Sequence, residues 1–215
     1  MAKKGLFITF EGGEGVGKST LISSIYEELI KQGLEPMKTL EPGDTPLGKC
    51  LREIILGRDF PMDKKAELFL FLADRSQHVK EVILPALDCG KIVLCDRFND
   101  STIAYQGIAR NFDVLKLTEL CHFATDGLEP DLTFFLDLDP ETGFKRIEKQ
   151  ACGLDRIEKE HLSFHEKVRD AYLTIALREK NRIFVLDASL PKEKVLQTAM
   201  KKIEQKLHSF PFEDE

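Results

Sequence analysis

The sequence predicts an α/β fold in which a central parallel β-sheet of about five strands is flanked by helices. Short apolar runs recur along the chain, and they are continuously apolar, which is typical of parallel strands covered on both faces. Longer amphipathic segments separate these runs, so right-handed helical crossovers should join the strands. The predicted strands are residues 6–11, 37–41, 92–95, 132–138 and 183–186.

The segments between the predicted strands have the apolar spacing of helices. The first helix is expected over residues 19–32, with Gly33 as its C-cap. A long helical segment is expected to begin with Asp63 as N-cap and to run towards Gly90, and residues 191–207 form the last predicted helix. Two further helices are indicated by apolar residues at helical spacing, which are Leu47, Leu51, Ile54 and Ile55 in one and Phe164, Val168, Ala171, Tyr172 and Ile175 in the other.

Length and composition are those of one globular domain. The chain has 215 residues, of which 42% are hydrophobic and 32% are charged. These fractions are ordinary for globular proteins, and the chain is long enough to bury a full core. We therefore predict a single domain over residues 1–215, with a flexible tail at 208–215.

Charge and cysteine usage bear on partners and location. The formal net charge of −6 disfavours a nucleic-acid or membrane partner, and no apolar stretch approaches the length of a membrane span or a signal peptide. The absence of a C-x-x-C pair favours free thiols in a reducing cytoplasm, each expected in the core. The five cysteines are Cys50, Cys89, Cys95, Cys121 and Cys152.

A glycine-rich segment follows the first predicted strand and opens the first predicted helix. Its residues satisfy G-x-x-x-x-G-K-[ST] in the context that a phosphate-binding P-loop requires. Backbone N–H groups can converge on phosphate oxygens there, and Lys18 is expected to be exposed and to reach the β- and γ-phosphates. The predicted ATP-binding residues are Gly12, Gly13, Glu14, Gly15, Val16, Gly17, Lys18, Ser19 and Thr20.

The segment "IVLCDRF" places a carboxylate and a guanidinium directly after a predicted strand. Asp96 can face the P-loop and, with the hydroxyl of Ser19, bind Mg²⁺ directly or through water. Arg97 can grip a second phosphate, which would make the protein a kinase acting on a phosphate ester. A switch GTPase is disfavoured because the sequence lacks N-K-x-D and D-x-x-G.

Six segments match a known family in order and spacing, from about Phe7 to the last helix. They are "TFEGGEGVGKST", "LEPGDTPLG", "LFLADRSQH", "CDRFNDSTIAYQG", "PDLTFFLDLDPETGFKR" and "DRIE". The chain resembles the bacterial thymidylate kinases. This resemblance implies a P-loop NTPase fold with a lid at about 145–157, transfer of the γ-phosphate of ATP to dTMP with Mg²⁺, and a homodimer. Two alternatives remain open, which are a kinase acting on UMP or CMP and a regulatory P-loop ATPase.

The resemblance also implies which residues bind dTMP. Phe71 and Arg75 stand four residues apart and so share one helical face, from which a ring can stack on thymine and a guanidinium can donate to its carbonyl. Tyr105 would lie at the sugar, and core packing explains Tyr172 nearly as well as a nucleotide contact does. The implied set is Glu14, Glu41, Pro42, Arg52, Phe71, Arg75, Arg97, Ser101, Thr102, Tyr105, Gln106 and Tyr172.

Catalytic residues are implied in the same way. In the family, the carboxylate at the position of Glu14 faces the acceptor nucleotide. Members whose P-loop lacks an arginine, as this one does, place catalytic arginines in a lid instead. The implied catalytic residues are Lys18, Arg97, Arg146, Lys149 and Arg156. The family pattern R-E-P-G-G-T is altered at Leu40 and Asp44, which puts in doubt the ion pair and the loop shape at those positions.

Overall fold

The computed structural model describes residues 5–57, 61–148 and 155–209. Within these ranges, five parallel strands form one sheet in the order β2-β3-β1-β4-β5. The predicted α/β fold is confirmed, and each predicted strand end lies within one residue of the observed one. The strands are β1 Leu6–Glu11, β2 Pro36–Leu40, β3 Ile92–Asp96, β4 Leu132–Asp137 and β5 Ile183–Asp187.

Helices cover both faces of the sheet, and two π-helical segments interrupt the regular pattern. The π-helical segments are Val79–Ile83 and Ile103–Ala109. The α-helices of the described residues are α1 Lys18–Lys31, α2 Pro46–Leu56, α3 Lys64–His78, α4 Leu84–Asp88, α5 Asn99–Thr102, α6 Val114–Ala124, α7 Pro140–Glu148, α8 Leu162–Arg178 and α9 Lys192–Ser209. None of these helices is long and apolar enough to cross a membrane.

Local sequence explains the helix ends that were predicted. Gly33 has φ of 77°, a left-handed conformation that glycine adopts without strain. Its N–H donates to the carbonyl of Ile30, and the N–H of Leu34 donates to the carbonyl of Leu29, which is a Schellman ending of α1. The carboxylate of Asp63 accepts from the N–H of Lys65 and so caps α3, as predicted.

The core lies on both faces of the sheet, which accounts for the continuous apolarity of the strands. Leu6, Ile8 and Phe10 of β1 belong to one buried cluster that also contains residues of α1 and α9. Phe7 points to the opposite face, where it packs with Phe98 at 5.0 Å between ring centroids. A strand that packs against apolar residues on both faces has no solvent-facing side, so its sequence need not alternate between apolar and polar residues.

Two sequence expectations need revision here. The expectation that every cysteine is buried is wrong for Cys50 and Cys89, which are exposed, whereas Cys95 and Cys121 are buried free thiols. Helix α9 extends through Ser209, so the predicted tail begins inside a helix, and residues 210–215 lie outside the described residues, as does Cys152.

A partly buried ion pair ties α5 to the sheet. The guanidinium of Arg182 donates to both carboxylate oxygens of Asp100, at 2.7 and 2.9 Å, and to the hydroxyl of Thr133 at 2.9 Å. Because Asp100 is buried, removing the arginine would leave its carboxylate without its charge partner.

We expect Arg182→Ala to lower the free energy of unfolding by about 3–5 kcal/mol, since a buried charge is left uncompensated. Lys145→Ala is the control, because it removes an exposed ion pair with Glu141 and should change stability by less than about 0.5 kcal/mol. Urea unfolding followed by circular dichroism measures both. A loss of under about 1 kcal/mol in Arg182→Ala would contradict the structural role of the pair.

Candidate active site

The loop between β1 and α1 is shaped by a close approach to α7. Gly15 has φ of 68°, and a Cβ built on it would lie 2.1 Å from the carbonyl oxygen of Gly143. A Cβ on Gly143 would in turn lie 2.3 Å from the carbonyl oxygen of Glu14. These distances are far below van der Waals contact, so the loop and α7 can pack this closely only with glycine at both positions.

Lys18 is buried, so the expectation that it would be exposed is wrong. Its Nζ atom donates to the carbonyl oxygens of Gly12 at 3.3 Å and Gly13 at 3.0 Å. Burial and the neighbouring guanidinium of Arg97 lower the pKa of Lys18. The loop therefore folds around the ammonium group, which still lines the cavity described below.

Ser19 and Asp96 meet at the carboxyl edge of the sheet. The Ser19 hydroxyl donates to Oδ2 of Asp96 at 3.0 Å, at an exposed position. A hydroxyl and a carboxylate are hard oxygen ligands of the kind that Mg²⁺ prefers. The two predicted metal ligands are thus adjacent, and their chemistry fits the ion.

Arg97 occupies a left-handed backbone conformation that is uncommon outside glycine, with φ of 74°. Its own N–H donates to the carbonyl of Phe10 at 3.0 Å. Its guanidinium donates to Glu14 at 2.6 Å, to the carbonyl of Gly12 at 3.1 Å and to the Ser101 hydroxyl at 3.3 Å. Backbone and side chain together fix this cation beside the P-loop.

The Glu14 carboxylate binds to Arg97 and Tyr105. The Tyr105 hydroxyl donates to the carboxylate oxygen that also accepts from Arg97. Burial opposes ionisation of Glu14, but Arg97 and Lys18 outweigh it and hold the pKa of Glu14 at about 2. The anion inside the loop is therefore compensated by two cations.

A fully buried ion pair between Arg75 and Glu41 forms another wall of the site. Arg75 is only 2% exposed, and its Nε atom donates to Glu41 at 2.6 Å while one terminal nitrogen donates to the Thr102 hydroxyl at 2.7 Å. The other oxygen of Glu41 lies 2.8 Å from Nδ1 of His78. The guanidinium of Arg75 is therefore fixed in place by hydrogen bonds to Glu41 and Thr102.

One cavity of about 460 Å³ joins the P-loop to this wall, a size suited to a small-molecule ligand. It brings together most of the predicted site residues. Those lining it are Glu14, Gly15, Val16, Gly17, Lys18, Ser19, Thr20, Glu41, Pro42, Arg52, Phe71, Arg75, Asp96, Arg97, Ser101, Thr102, Tyr105 and Gln106.

Three predicted residues have their side chains committed elsewhere and do not line the cavity. Tyr172 is buried, donates to Glu11 at 2.8 Å and stacks on Phe135, so core packing is its role in this structure. Arg146 donates to the carbonyl of Ala188 at 3.1 Å. Arg156 donates to the carbonyl of Ile55 at 2.9 Å and to the carboxylate of Glu67. Lys149 lies outside the described residues.

The two departures from the family pattern have local explanations. Leu40 ends β2, and its exposed apolar side chain lines the cavity, so no ion pair can form at this position. The carboxylate of Asp44 accepts a hydrogen bond from the Thr39 hydroxyl, and the neighbouring Gly43 N–H donates to Asp74 at 3.0 Å. A glycine at position 44 could not accept the bond from Thr39, whereas the bond between Gly43 and Asp74 does not depend on the side chain at position 44.

Sequence reasoning missed Glu11, which lies directly beneath the site. Its carboxylate is fully buried and accepts from the Phe98 N–H at 2.7 Å, the Ser101 hydroxyl at 2.6 Å and the Tyr172 hydroxyl. Burial, reinforced by the nearby carboxylate of Asp100, raises the pKa of Glu11 to about 7. The sequence does contain a signal for Glu11, because a charged residue at the end of a buried central strand requires hydrogen-bond partners.

Comparisons with known proteins agree on one family. The family model described as thymidylate kinase matches residues 10–199. The chain is 47% identical to a thymidylate kinase of Protochlamydia amoebophila, over 94% of this chain and 93% of that protein. It is also 47% identical to a thymidylate kinase of Desulfovibrio desulfuricans, over 93% of this chain and 95% of that one. The crystal structure of thymidylate kinase from Ehrlichia chaffeensis superposes with a TM-score of 0.77 at 30% identity, covering 93% of this chain and 98% of that one.

The raised pKa of Glu11 predicts a pH dependence of stability. An unfolded glutamate titrates near 4.5 and the folded one near 7, so the native state binds more protons between these values and loses stability as pH rises through them. Glu11→Gln, which cannot titrate, should lack this loss. We expect the wild type to lose about 3 kcal/mol of unfolding free energy relative to the variant across this window.

Urea unfolding of both proteins at about pH 5 and about pH 8 measures this difference. Parallel curves for the two proteins would show that Glu11 titrates at its ordinary value.

Proposed function

The chain belongs to the thymidylate kinase family and phosphorylates dTMP at the expense of ATP, and we propose that both nucleotides occupy the cavity described above. The observation that carries this assignment of the site is the position of Arg97. Its guanidinium lies within hydrogen-bonding distance of the P-loop carbonyl of Gly12 and within the cavity that reaches Phe71 and Arg75. A cation at that junction can hold an acceptor phosphate against a donor phosphate.

We propose that the donor triphosphate lies on the P-loop. The N-terminus of α1 and the ammonium of Lys18 supply positive charge where the β- and γ-phosphates would lie. Lys18 would exchange its carbonyl partners Gly12 and Gly13 for phosphate oxygens. Ser19 and Asp96 would hold Mg²⁺, which when bound neutralises further charge on the triphosphate.

The acceptor would lie between Arg97 and the α3 wall. Phe71 offers a ring for stacking on thymine, and Arg75 offers N–H groups that its partners Glu41 and Thr102 leave available. Tyr105, anchored to Glu14, would stand beside the sugar and crowd a 2′-hydroxyl.

Phosphoryl transfer in such a site depends on positioning and charge rather than on proton transfer. The phosphate of dTMP is anionic at neutral pH, so no general base is required. Arg97 and Arg52 would hold that phosphate in line with the γ-phosphate of ATP, and Lys18 would neutralise the charge that develops during transfer. Arg97 is pre-positioned for this task, because three hydrogen bonds already fix its guanidinium.

We also propose that the chain forms one domain and assembles as a homodimer. Large apolar side chains are exposed on helix α3 and on the two helices that pack against it, α2 and α6. They are Leu47, Ile54, Phe69, Leu115 and Phe123. Apolar side chains of this size favour burial in an interface, and sedimentation velocity measures whether a dimer forms. The cytoplasmic location and a catalytic role for Arg146, Lys149 and Arg156 stay predictions.

The reaction is tested with a panel of nucleoside monophosphates. Purified protein with ATP and Mg²⁺ should release ADP fastest with dTMP, and much more slowly with UMP or CMP. A coupled assay for ADP records all three. Faster release with UMP or CMP would indicate a different acceptor, and equal release without any monophosphate would indicate an ATPase.

The acceptor site is tested at Phe71. Phe71→Ala should raise the KM for dTMP by about one to two decades through lost stacking, with the KM for ATP nearly constant. Phe71→Leu keeps apolar bulk without the ring, so its KM for dTMP should lie between those of the wild type and Phe71→Ala. Leu177→Ala, at an exposed position of α8, serves as the control. Unchanged dTMP kinetics in both Phe71 variants would mean that thymine does not bind against this ring.

A further inference from the structure

Glu67 is a buried carboxylate behind the wall of the cavity, and no role in the reaction described above requires it. The residue lies in the first turn of α3 and is 1% exposed. Its Oε1 atom accepts from Nε2 of Gln106 at 3.0 Å and from Nε of Arg110 at 3.0 Å. Its Oε2 atom accepts from Arg110 at 3.2 Å and from Arg156.

These contacts dictate which end of the Gln106 amide faces Glu67. A carboxylate flanked by two guanidinium groups can only accept hydrogen bonds. The NH₂ group of Gln106 must therefore point at Glu67, because the amide oxygen would meet the carboxylate as acceptor against acceptor. The amide oxygen of Gln106 then has no hydrogen-bond donor among the described residues. Gln106 lines the cavity, so the atom that it can offer a ligand is an acceptor.

We propose that Glu67 is a positioning residue that sets base specificity by orienting Gln106. With Glu67 in place, Gln106 presents a carbonyl oxygen that accepts the N3–H of thymine. This inference rests on the proposed function, in which the base of dTMP lies beside Phe71, Arg75 and Gln106.

The orientation discriminates thymine from cytosine by the pattern of donors and acceptors. Thymine carries a hydrogen on N3, whereas N3 of neutral cytosine is an acceptor. A carbonyl oxygen opposite N3 therefore bonds thymine and leaves two acceptors facing each other with cytosine. Leaving a buried acceptor unpaired in this way costs one to two decades in affinity, by the usual penalty of about 1–3 kcal/mol.

The variant Glu67→Gln removes the constraint at little cost in shape. Its new amide NH₂ can donate to the oxygen of Gln106, which would turn the NH₂ group of Gln106 towards the base. Arg110 would keep a charge partner, because it also pairs with Glu160 at 3.0 Å. The substitution thus changes hydrogen-bond polarity while keeping the volume of the side chain.

We expect the ratio of kcat/KM for dTMP to kcat/KM for dCMP to fall by about one to two decades in Glu67→Gln, with the KM for ATP unchanged. Arg110→Gln is the matched control. It disrupts the same charge cluster but leaves Glu67 as an acceptor, so it should keep the wild-type ratio even if the protein is less stable. In a Gln106→Leu background, Glu67→Gln should have no further effect on the ratio.

The outcomes separate this inference from the function on which it rests. A wild-type protein that does not phosphorylate dTMP would overturn both. If the wild type prefers dTMP and a folded Glu67→Gln variant prefers it equally, only the role of Glu67 is overturned. The same follows if Arg110→Gln loses as much selectivity as Glu67→Gln. If circular dichroism shows that Glu67→Gln does not fold, Glu67→Asp and Glu67→Asn replace it. These two side chains have the same shape, but only asparagine can donate a hydrogen bond. Loss of selectivity only in the Asn variant supports the proposal, and equal ratios overturn it.

Discussion

The bond between Arg97 and Glu14 is the interaction on which the site depends. It joins the end of β3 to the P-loop that follows β1, and the two strands are hydrogen-bonded neighbours in the sheet. Arg97 has a left-handed backbone conformation, and the N–H of the next residue, Phe98, donates to the buried carboxylate of Glu11. Lys18 adds a second cation beside the same carboxylate. Without Glu14, two like charges would face each other across a site that is built to receive anions.

Three groups that line the cavity are each held by a carboxylate, which is buried at Glu41 and Glu67 and partly buried at Glu14. Glu41 holds Arg75, Glu14 holds Arg97, and Glu67 holds Gln106. Each carboxylate satisfies part of its partner's hydrogen bonding and leaves the rest for a substrate. Such partners cost desolvation, but they remove side-chain freedom before binding, so less entropy is lost when the nucleotides arrive.

The same preference of buried groups for partners explains why some predicted residues lie away from the cavity. Arg156 shares the carboxylate of Glu67 with Arg110, and Arg146 caps the carbonyl of Ala188. Both partners are protein atoms that the linear sequence places far away. The sequence of a basic segment looks the same whether its arginines bind a phosphate or a buried glutamate. Its role depends on which acceptor the fold brings within reach.

The sequence by itself determined the strands, most helices and the loop around Lys18, because these follow from local periodicity, capping and glycine spacing. It also indicated Ser19, Asp96 and Arg97, since the carboxyl ends of neighbouring parallel strands must meet at one edge. Only the tertiary structure decided the burial of Lys18, the packing of Gly15 on Gly143 and the networks of Glu11 and Glu67. These features join residues that are distant along the chain, and a carboxylate in a sequence does not reveal whether water or an arginine will surround it. That choice is made by packing, which fixes the dielectric and the hydrogen-bond partners of each charge.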